Sequence, residues 1–358
     1  MLSGTFDGLG ERFISPEKFQ TLRTVEISPG DLLITMMGTI GKVAVVPEGI
    51  GTTIMDSHLL RVRPDRKLCR ADYLAWAIYG SPAVQQSMDA QAHGAIMRGL
   101  NSAIVRSLPI LLPPLLEQQR LVGILDEVFE YIDTAKTNTE KNLQNARALF
   151  ESHLQAVLLS KKWKWITLGD LCHGVEYGSS AKSKKEGKVP VLRMGNIQDG
   201  KLDWENLLYT DEKEEIAKYL LKHNDVLFNR TNSPELVGKT AIYKSEMPAI
   251  FAGYLIRINR KEELLDGDYL NYFLNSQIAL DYGKTVVISS VNQANINGAK
   301  LKGYPIPAPS ISEQRSIVKE LDGLQEETQR LVSVYERKLA ALEALKKSLL
   351  NKAFSGEL

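Results

Sequence analysis

Two long stretches of the chain carry apolar residues at heptad spacing. The second stretch has apolar side chains at Ile317, Leu321, Leu324, Leu331, Tyr335, Leu342, Leu345 and Leu349, with Thr328 and Lys338 filling the other positions. The first has Leu121, Leu125, Val128, Ile132 and Ala135, then a polar interruption at 137–141, then Leu143, Leu149, Leu154 and Val157. An apolar seam on a charged surface predicts long helices that pack as a coiled coil. Since each helix follows a globular segment, we expect an antiparallel pair within the chain rather than an oligomerisation stalk.

The remaining sequence is repeated at a near-constant offset. "GDLLITMMGTIGKVAVV" from 30 matches "NDVLFNRTNSPELVGKTAIY" from 224, "ADYLAWAI" matches "GDYLNYFL", and "SLPILLPPLLEQQR" matches "GYPIPAPSISEQR", always 194 to 197 residues apart. Ordered matches at one offset indicate duplication. The sequence therefore predicts a mixed α/β chain with two related domains, at 1–112 and 161–309, each followed by a long helix, at 113–160 and 310–358.

The segment "NRTNSPELVGKT" resembles a phosphate-binding loop at its Gly-Lys-Thr end. Such a loop needs glycine five residues before the Gly-Lys pair and a helix directly after it. Here Ser233 takes the glycine position, and "AIYKSEMP" favours a strand. The repeat "GTIGKVAVV" has the same β-branched run after Gly41, so both copies predict strand, turn, strand, with the glycine at positive φ. A nucleotide-hydrolysing enzyme stays the weakest hypothesis.

Composition narrows the classes of function. The formal charge of +1 gives no global argument for nucleic acid, although residues 161–260 hold 17 Lys and Arg against 13 Asp and Glu. The two cysteines lie far apart and the five histidines show no ligand spacing, so no disulfide framework or metal site is predicted. We expect a cytoplasmic protein without a membrane role, since the apolar run 108–116 is short and holds three prolines.

The order of these segments resembles the specificity subunits of type I restriction-modification systems. The residues that carry the resemblance are "WITLGDLCHGVEYGSS", "VPVLRMGNIQDGKLD", "NDVLFNRTNSPELVGKTAIY", "IPAPSISEQRSIV" and "LLNKAFSGEL". The family has two target-recognition domains alternating with helical regions. The resemblance implies double-stranded DNA as ligand, with each domain contacting one half of a bipartite target.

The resemblance also implies which partners supply the chemistry. Modification (methyltransferase) subunits and a restriction (motor-nuclease) subunit would bring S-adenosylmethionine, ATP and Mg, so no cofactor is expected on this chain. The sequence agrees, since it has no nucleophile elbow, no dinucleotide-binding loop and no "NPP" or "DPP" turn. We therefore expect a non-catalytic DNA-recognition subunit. The alternative is a duplicated scaffold that binds protein.

Candidate DNA-contacting residues lie on polar or basic turns. In the second domain they are Tyr177, Ser179, Ser180, Lys182, Lys184, Lys185, Arg193, Asn196, Asn229, Arg230, Thr231, Asn232, Ser233, Ser289, Ser290, Asn292 and Gln293. In the first domain they are His93, Arg98 and Asn101. Such side chains hydrogen-bond to base edges or phosphates, but they equally favour turns and caps.

The first domain is shorter than the second. By the repeat offset Met1 corresponds to a position near Gly195, so "WITLGDLCHGVEYGSSAKSKKEGKVPVLRM" has no counterpart in the first half. A truncation, an upstream start, or a fragment supplied from elsewhere would each account for this difference.

Overall fold

The computed structural model describes residues 13–36, 41–92, 100–160, 163–290 and 293–358. The chain forms two compact units. Unit 1 comprises Met1–Asn142 and Val334–Leu358, and unit 2 comprises Leu143–Ser333. No helix within the described ranges is long and apolar enough to cross a membrane.

The elements are numbered in chain order. The first half of the chain contains helices α1 (Pro16–Leu22), α2 (Ala71–Gly80), α3 (Pro82–Ala92), α4 (Ser102–Arg106) and α5 (Leu115–Leu158), and strands β1 (Glu26–Ile27), β2 (Leu32–Thr35), β3 (Val43–Val45), β4 (Thr53–Ile54) and β5 (Leu59–Val62). The second half contains helices α6 (Lys213–Tyr219), α7 (Gly267–Asn275), α8 (Gln277–Val286), α9 (Gly298–Lys302) and α10 (Ile311–Ser355). Its strands are β6 (Trp165–Thr167), β7 (Cys172–Tyr177), β8 (Val189–Leu192), β9 (Ile197–Gln198), β10 (Lys201–Leu202), β11 (Leu208–Thr210), β12 (Val226–Asn229), β13 (Thr231–Asn232), β14 (Thr240–Ile242), β15 (Ile250–Phe251), β16 (Leu255–Arg260), β17 (Ile288–Ser290), β18 (Gln293–Asn295) and β19 (Pro305–Pro307).

Unit 2 is built on an antiparallel sheet in the order β14-β12-β16-β7. Every residue of β12 is buried, because side chains alternate between two apolar faces. Val226 and Phe228 join the core with Tyr269 and Phe273 of α7. Leu227 packs into a second core on the other face. The all-apolar run "VLF" therefore marks a strand that is covered on both sides.

Unit 1 repeats this arrangement with fewer strands. Its main sheet has the order β3-β2-β5, in which Leu32 and Ile34 of β2 pack with Ala75 and Ile78 of α2. The registers also correspond, since Leu33 pairs with Arg61 as Leu227 pairs with Arg257. The predicted duplication thus extends to strand pairing.

The predicted strand-turn-strand elements are confirmed. Strand β2 pairs with β3, and β12 pairs with β14. Gly41 has φ +78° and Gly238 has φ +96°, in the left-handed region that favours glycine. Residues 240–242, directly after the Gly-Lys pair, form a strand, so the helix that a phosphate-binding loop requires is absent at this position.

The two long helices pair within each unit. In unit 1, Lys136 bonds Glu343 at 2.7 Å and Asp133 lies 3.5 Å from Lys346, so residue numbers rise along α5 as they fall along α10. In unit 2, Leu154 and Leu158 share a core with Ile317 and Leu321. The predicted antiparallel pairing is confirmed.

The seam departs from the predicted heptad frame at three leucines. Leu149, Leu331 and Leu345 are 52%, 39% and 47% exposed, whereas Val332 is buried. An α-helix has 3.6 residues per turn and drifts from a 3.5-residue repeat, so the buried stripe moves by one position over several turns. Thr139 is buried in the polar interruption, where its hydroxyl donates to the carbonyl of Ala135 at 2.6 Å.

A glutamine ties each long helix to its unit in the same way. The Gln118 amide donates to the carbonyls of Leu68 and Pro113, and its oxygen accepts from the Arg70 amide. Gln314 makes the corresponding three bonds, to the carbonyls of Leu264 and Pro309 and from the Asp266 amide. Both glutamines are fully buried, so they anchor the first turn of each helix to the domain that precedes it.

Candidate nucleic-acid interface

Two polar segments that are distant in the sequence meet in one small sheet of unit 2. The order is β13-β18-β17, with Thr231 opposite Asn295, Asn232 opposite Ala294, and Ser290 opposite Gln293. The sheet thus joins the turn that follows Asn229 to the polar segment 289–295. Both segments were predicted separately as candidates, and the structure brings them together.

Arg230 connects this sheet to a third predicted segment. Its guanidinium lies 4.9 Å from the centre of the Tyr177 ring, a cation–π contact. Nη1 donates to the Gly253 carbonyl at 3.1 Å, and Nε is buried without a hydrogen-bond partner among the described residues. The Arg230 backbone is held on both sides, by the Tyr254 carbonyl at 3.0 Å and by the Ile296 amide at 2.9 Å.

Tyr177 forms a fixed platform beneath this arginine. Its hydroxyl accepts a hydrogen bond from the amide of Gly298, the first residue of α9, at 2.7 Å. A Cβ at Gly298 would lie 2.8 Å from Val175 Cγ2, so only glycine permits this approach. The ring is nevertheless 41% exposed. An exposed aromatic ring that is held by its hydroxyl suits stacking or recognition.

The side chains of the small sheet are partly engaged with one another. Asn295 donates through Nδ2 to the Thr231 hydroxyl at 2.6 Å, and the Thr231 side chain is buried. The Asn232 side-chain oxygen Oδ1 accepts from the backbone amide of Ser233 at 2.9 Å. Asn232 and Ser233 are half-buried and Gln293 is exposed. The outer polar groups of this sheet can therefore meet a ligand while Thr231 supports them.

A basic loop, residues 182–185, follows shortly after Tyr177 in the sequence. Ser180, Lys182 and Lys185 are exposed. Lys184 is also exposed, and its Nζ lies 4.0 Å from an Asp211 carboxylate oxygen while its backbone bridges to Tyr209. These ammonium groups give a positive rim of the kind that meets phosphates.

Three of the predicted DNA-contacting residues have buried side chains that hydrogen-bond within the protein. Ser179 is buried and donates its hydroxyl to Glu215. Asn196 is buried, accepts from the Arg193 amide and donates to the carbonyls of Asp203 and Glu205. Asn229 is fully buried, with Nδ2 directed at the Leu236 carbonyl at 3.4 Å. These side chains stabilise turns. The candidate DNA contacts are therefore their more exposed neighbours.

The remaining predicted residues are held in turns and caps, lie in the small sheet itself, or lie outside the described residues. The Arg193 guanidinium donates to the Asn206 carbonyl at 2.7 Å. In unit 1, the Asn101 side chain caps α4 by accepting from the amides of Ala103 and Ile104, as Asn297 caps α9. Ser289 and Ser290 lie in β17. His93, Arg98 and Asn292 lie outside the described residues.

The structure adds Tyr254 to the candidate surface and gives a contact for Asn295, which ends the polar segment 289–295. Tyr254 is 52% exposed, and its carbonyl accepts from Arg230. Asn295 bonds Thr231, and its place in the polar segment 289–295 was the only sequence signal for it. The sequence does not predict Tyr254 as a site residue, since a single tyrosine after "FAG" belongs to no motif or periodic pattern.

The described residues contain no His, Cys, Asp and Glu group that could hold a metal. Cys69 and Cys172 are free and buried, and burial raises the pKa of both thiols. A raised pKa disfavours the nucleophilic thiolate. Neither cysteine is therefore a candidate catalytic nucleophile.

Solved structures with a similar fold exist at low sequence identity. One is a chain from a type I restriction-modification system studied for complex assembly and conformational transition, with TM-score 0.75, 22% identity, and coverage of 93% of this chain and 83% of that chain. Another is the HsdS subunit from Thermoanaerobacter tengcongensis, with TM-score 0.61, 21% identity and coverage of 93% and 82%. These similarities support the mixed α/β fold.

Sequence relatives carry names from the same systems. A protein of Methanocaldococcus jannaschii named for the specificity subunit of the type I restriction enzyme MjaX is 30% identical over 202 residues, which cover 55% of this chain and 46% of that protein. The EcoKI specificity subunit of Escherichia coli K12 is 24% identical over 356 residues, which cover 93% of this chain and 76% of that protein. The chain thus matches about half of the first relative and three quarters of the second.

A family model described as the type I restriction modification DNA specificity domain matches residues 10–145 and again residues 160–336. The two matches correspond to the two copies of the internal repeat, and together they span most of the chain. The chain therefore belongs to the family of type I restriction-modification DNA specificity proteins.

Proposed function

We propose that this chain is the sequence-specific DNA-recognition subunit of a type I restriction-modification complex. The observation that carries the proposal is the convergence of Tyr177, Arg230 and the β13-β18-β17 sheet, with the basic loop 182–185 beside it. Polar side chains on a small sheet suit contacts with base edges, and lysines on the rim suit phosphates.

Within this surface the exposed and half-buried polar residues are the proposed contacts. Lys182, Lys184 and Lys185 fix the position on the phosphate backbone. Arg230, Asn232 and Gln293 face bases, and Tyr177 holds the Arg230 guanidinium in place. Asn196, Asn229, Ser179 and Thr231 shape the turns that present these groups. This surface binds DNA and does not catalyse a reaction.

Each unit recognises one part of a bipartite target. The duplicated sheets and the matching glutamine anchors make the two units equivalent in construction, while 229–233 and 36–40 differ in sequence. Equivalent scaffolds with different turn sequences suit two different half-sites. The half-site spacing would follow from the protein geometry.

The catalytic partners are part of the same proposal. A modification subunit would bind S-adenosylmethionine and a restriction subunit would use ATP and Mg, while this chain selects the site. A relative is named as the specificity subunit of a type I restriction enzyme, which supports this proposal. A duplicated protein-binding scaffold is the alternative that the test must exclude.

The test is duplex binding by the chain together with a modification subunit from the same operon. We expect binding that prefers one family of duplexes and weakens steeply with salt, since each phosphate contact released contributes a slope of about −0.9 in log K against log salt. Equal affinity for all duplexes, or an affinity insensitive to salt, would support the scaffold instead.

A further inference from the structure

A cavity of about 480 Å³ lies in unit 2, lined by the segment 234–238 and by helix α8. Its wall is mostly apolar and includes Val237, Leu274, Leu280 and Val287. Protein interiors are close-packed and leave few voids larger than a water molecule, whereas small-molecule sites have volumes of about 300–1,000 Å³. The cavity therefore has the size and the apolar wall of a ligand site.

A buried polar group also lines this cavity. Tyr304 is 2% exposed, and its hydroxyl has no hydrogen-bond partner among the described residues. Its ring packs edge-on against the rings of Phe228 and Tyr282, with ring centres 6.0 Å and 4.8 Å apart. Buried tyrosine hydroxyls usually bond a partner, as Tyr282 bonds the Gly303 carbonyl at 3.1 Å. The Tyr304 hydroxyl is thus held in a fixed place and left available.

The glycine beside this hydroxyl gives it room. A Cβ at Gly283 of α8 would lie 2.7 Å from the Tyr304 hydroxyl oxygen, closer than van der Waals contact allows. Burial raises the pKa of Tyr304, so the hydroxyl keeps its proton at neutral pH and can donate a hydrogen bond. A ligand in the cavity would therefore meet a hydrogen-bond donor in an otherwise apolar wall.

The first copy of the repeat has apolar side chains at both of these positions. Counted from the serine that precedes each helix, Met88 of α3 corresponds to Gly283 of α8. The repeat offset places Leu108 at the position of Tyr304. Met88 and Leu108 both belong to the buried core of unit 1. The available hydroxyl and the glycine beside it are therefore particular to unit 2.

The Met88 side chain also reaches the turn glycine of its own copy. Its Cε lies 3.7 Å from the place that a Cβ of Gly41 would take. At the corresponding Gly238 the nearest side chains are Leu280 and Phe228, at 3.8 Å and 3.9 Å, and position 283 supplies no side chain. The space that a methionine fills in unit 1 is thus left open in unit 2.

We infer that this cavity binds a small, uncharged ring compound with an apolar body and one hydrogen-bond acceptor that receives the Tyr304 hydroxyl. The apolar wall favours a ligand that removes apolar surface from water, and it disfavours a charged one, which would lose its hydration. The charged lining residues Glu235 and Lys284 are exposed, so they lie on the solvent side. Binding requires neither DNA nor a partner subunit, so this inference can fail without affecting the proposed function.

The probe is quinoline, titrated onto the full chain by isothermal titration calorimetry. We expect saturable one-to-one binding with a dissociation constant of about 1 mM or below. Hydrogen exchange should slow at residues 234–240 and 279–287, because the ligand would contact both walls. N-methylquinolinium has the same rings but carries a charge and lacks the acceptor, so it should bind at least about tenfold more weakly.

Two tyrosine variants test the hydrogen bond. Tyr304→Phe keeps the ring and removes the hydroxyl, so it should weaken quinoline binding about three- to tenfold. Tyr282→Phe is the matched control, because it removes a neighbouring hydroxyl that bonds the Gly303 carbonyl, and it should leave the affinity unchanged. Equal losses in the two variants would overturn the assigned role of Tyr304.

A double variant tests the cavity itself. Gly283→Met with Tyr304→Leu introduces the two residues of the first copy, and it should abolish quinoline binding by filling the space. Circular dichroism checks that this variant folds, and Tyr304→Phe carries the test if it does not. Absence of saturable binding to the unaltered chain, slowed exchange away from both walls, or undiminished binding in the folded double variant would each overturn the inference.

Discussion

The guanidinium of Arg230 lies 4.9 Å from the ring centre of Tyr177 and is anchored to the Gly253 carbonyl at 3.1 Å. These residues are 53 positions apart in the sequence. The contact places one planar cation at the meeting point of the basic loop, the turn after β12 and the small sheet. Rigid arginine at such a point is suited to bidentate contact with a guanine edge.

Replacing Arg230 should weaken DNA binding more than it weakens the fold. We expect Arg230→Ala to reduce affinity for the preferred duplex by about 1–3 kcal/mol. Arg230→Lys should recover only part of this loss, because an ammonium keeps the charge but lacks the planar fork. Fluorescence anisotropy with labelled duplex measures the effect.

The control for this change is Arg330→Ala, which removes an exposed arginine that pairs only loosely with Glu327 on α10. It should leave the affinity unchanged. Equal losses in both variants would show that general charge, and not the Tyr177 contact, determines the effect.

The lysines of the basic loop should act through salt-sensitive contacts. We expect the double variant Lys182→Ala, Lys185→Ala to flatten the slope of log K against log salt by about 2, since each phosphate contact contributes about 0.9. Sequence preference should be retained, because phosphates carry no base identity. Titrations at several salt concentrations measure the slope.

The matched variant is Lys222→Ala, Lys319→Ala, which removes two exposed lysines of the same unit that are outside the loop. If this pair changes the slope as much as the loop pair does, the assignment of the loop to phosphate binding is wrong.

The buried glutamines should be important for stability. Gln118→Ala leaves the carbonyls of Leu68 and Pro113 and the amide of Arg70 without their partner. We expect a loss of about 1–3 kcal/mol for an unsatisfied buried group. Gln119→Ala, one residue later on the exposed side of α5, should have little effect. Urea unfolding monitored by circular dichroism compares them, and equal midpoints would contradict the anchoring role.

Two glycine substitutions should change stability in opposite directions. Gly238→Ala forces a side chain into φ +96° and should cost about 1–2 kcal/mol. Gly323→Ala lies within α10, where a Cβ meets nothing within 4 Å, and should stabilise by about 0.5–1 kcal/mol. Thermal unfolding gives both values, and a stabilising Gly238→Ala would exclude a need for glycine in that turn.

The sequence predicts the architecture because its signals are periodic or repeated. The "VLF" run of β12, the glycine before Lys239 and the heptads of α10 each follow from local physical chemistry. The repeat offset then places the same elements in both halves. Leu331 and Leu345 were placed wrongly because a small drift of the seam changes which residue is buried without altering the pattern.

The candidate site was only partly predictable. The sequence marks Arg230 and Gln293 as polar residues on turns, but their proximity depends on the pairing of β13 with β18, which no local pattern encodes. Asn196 and Asn229 are also asparagines in predicted turns, but their side chains are buried. The sequence does not separate them from Asn232, because an asparagine that stabilises a turn looks the same in sequence as one that faces a ligand. Tyr254 has no sequence signal at all.

The most direct test of the central claim is selection of binding sites from a pool of randomised duplexes by the chain with its modification subunit. We expect enrichment of a motif with one element that Arg230→Ala, Asn232→Ala removes, while a second element at fixed spacing is retained. Enrichment of no motif, or of a motif unchanged by these substitutions, would contradict the assignment of this surface to DNA recognition.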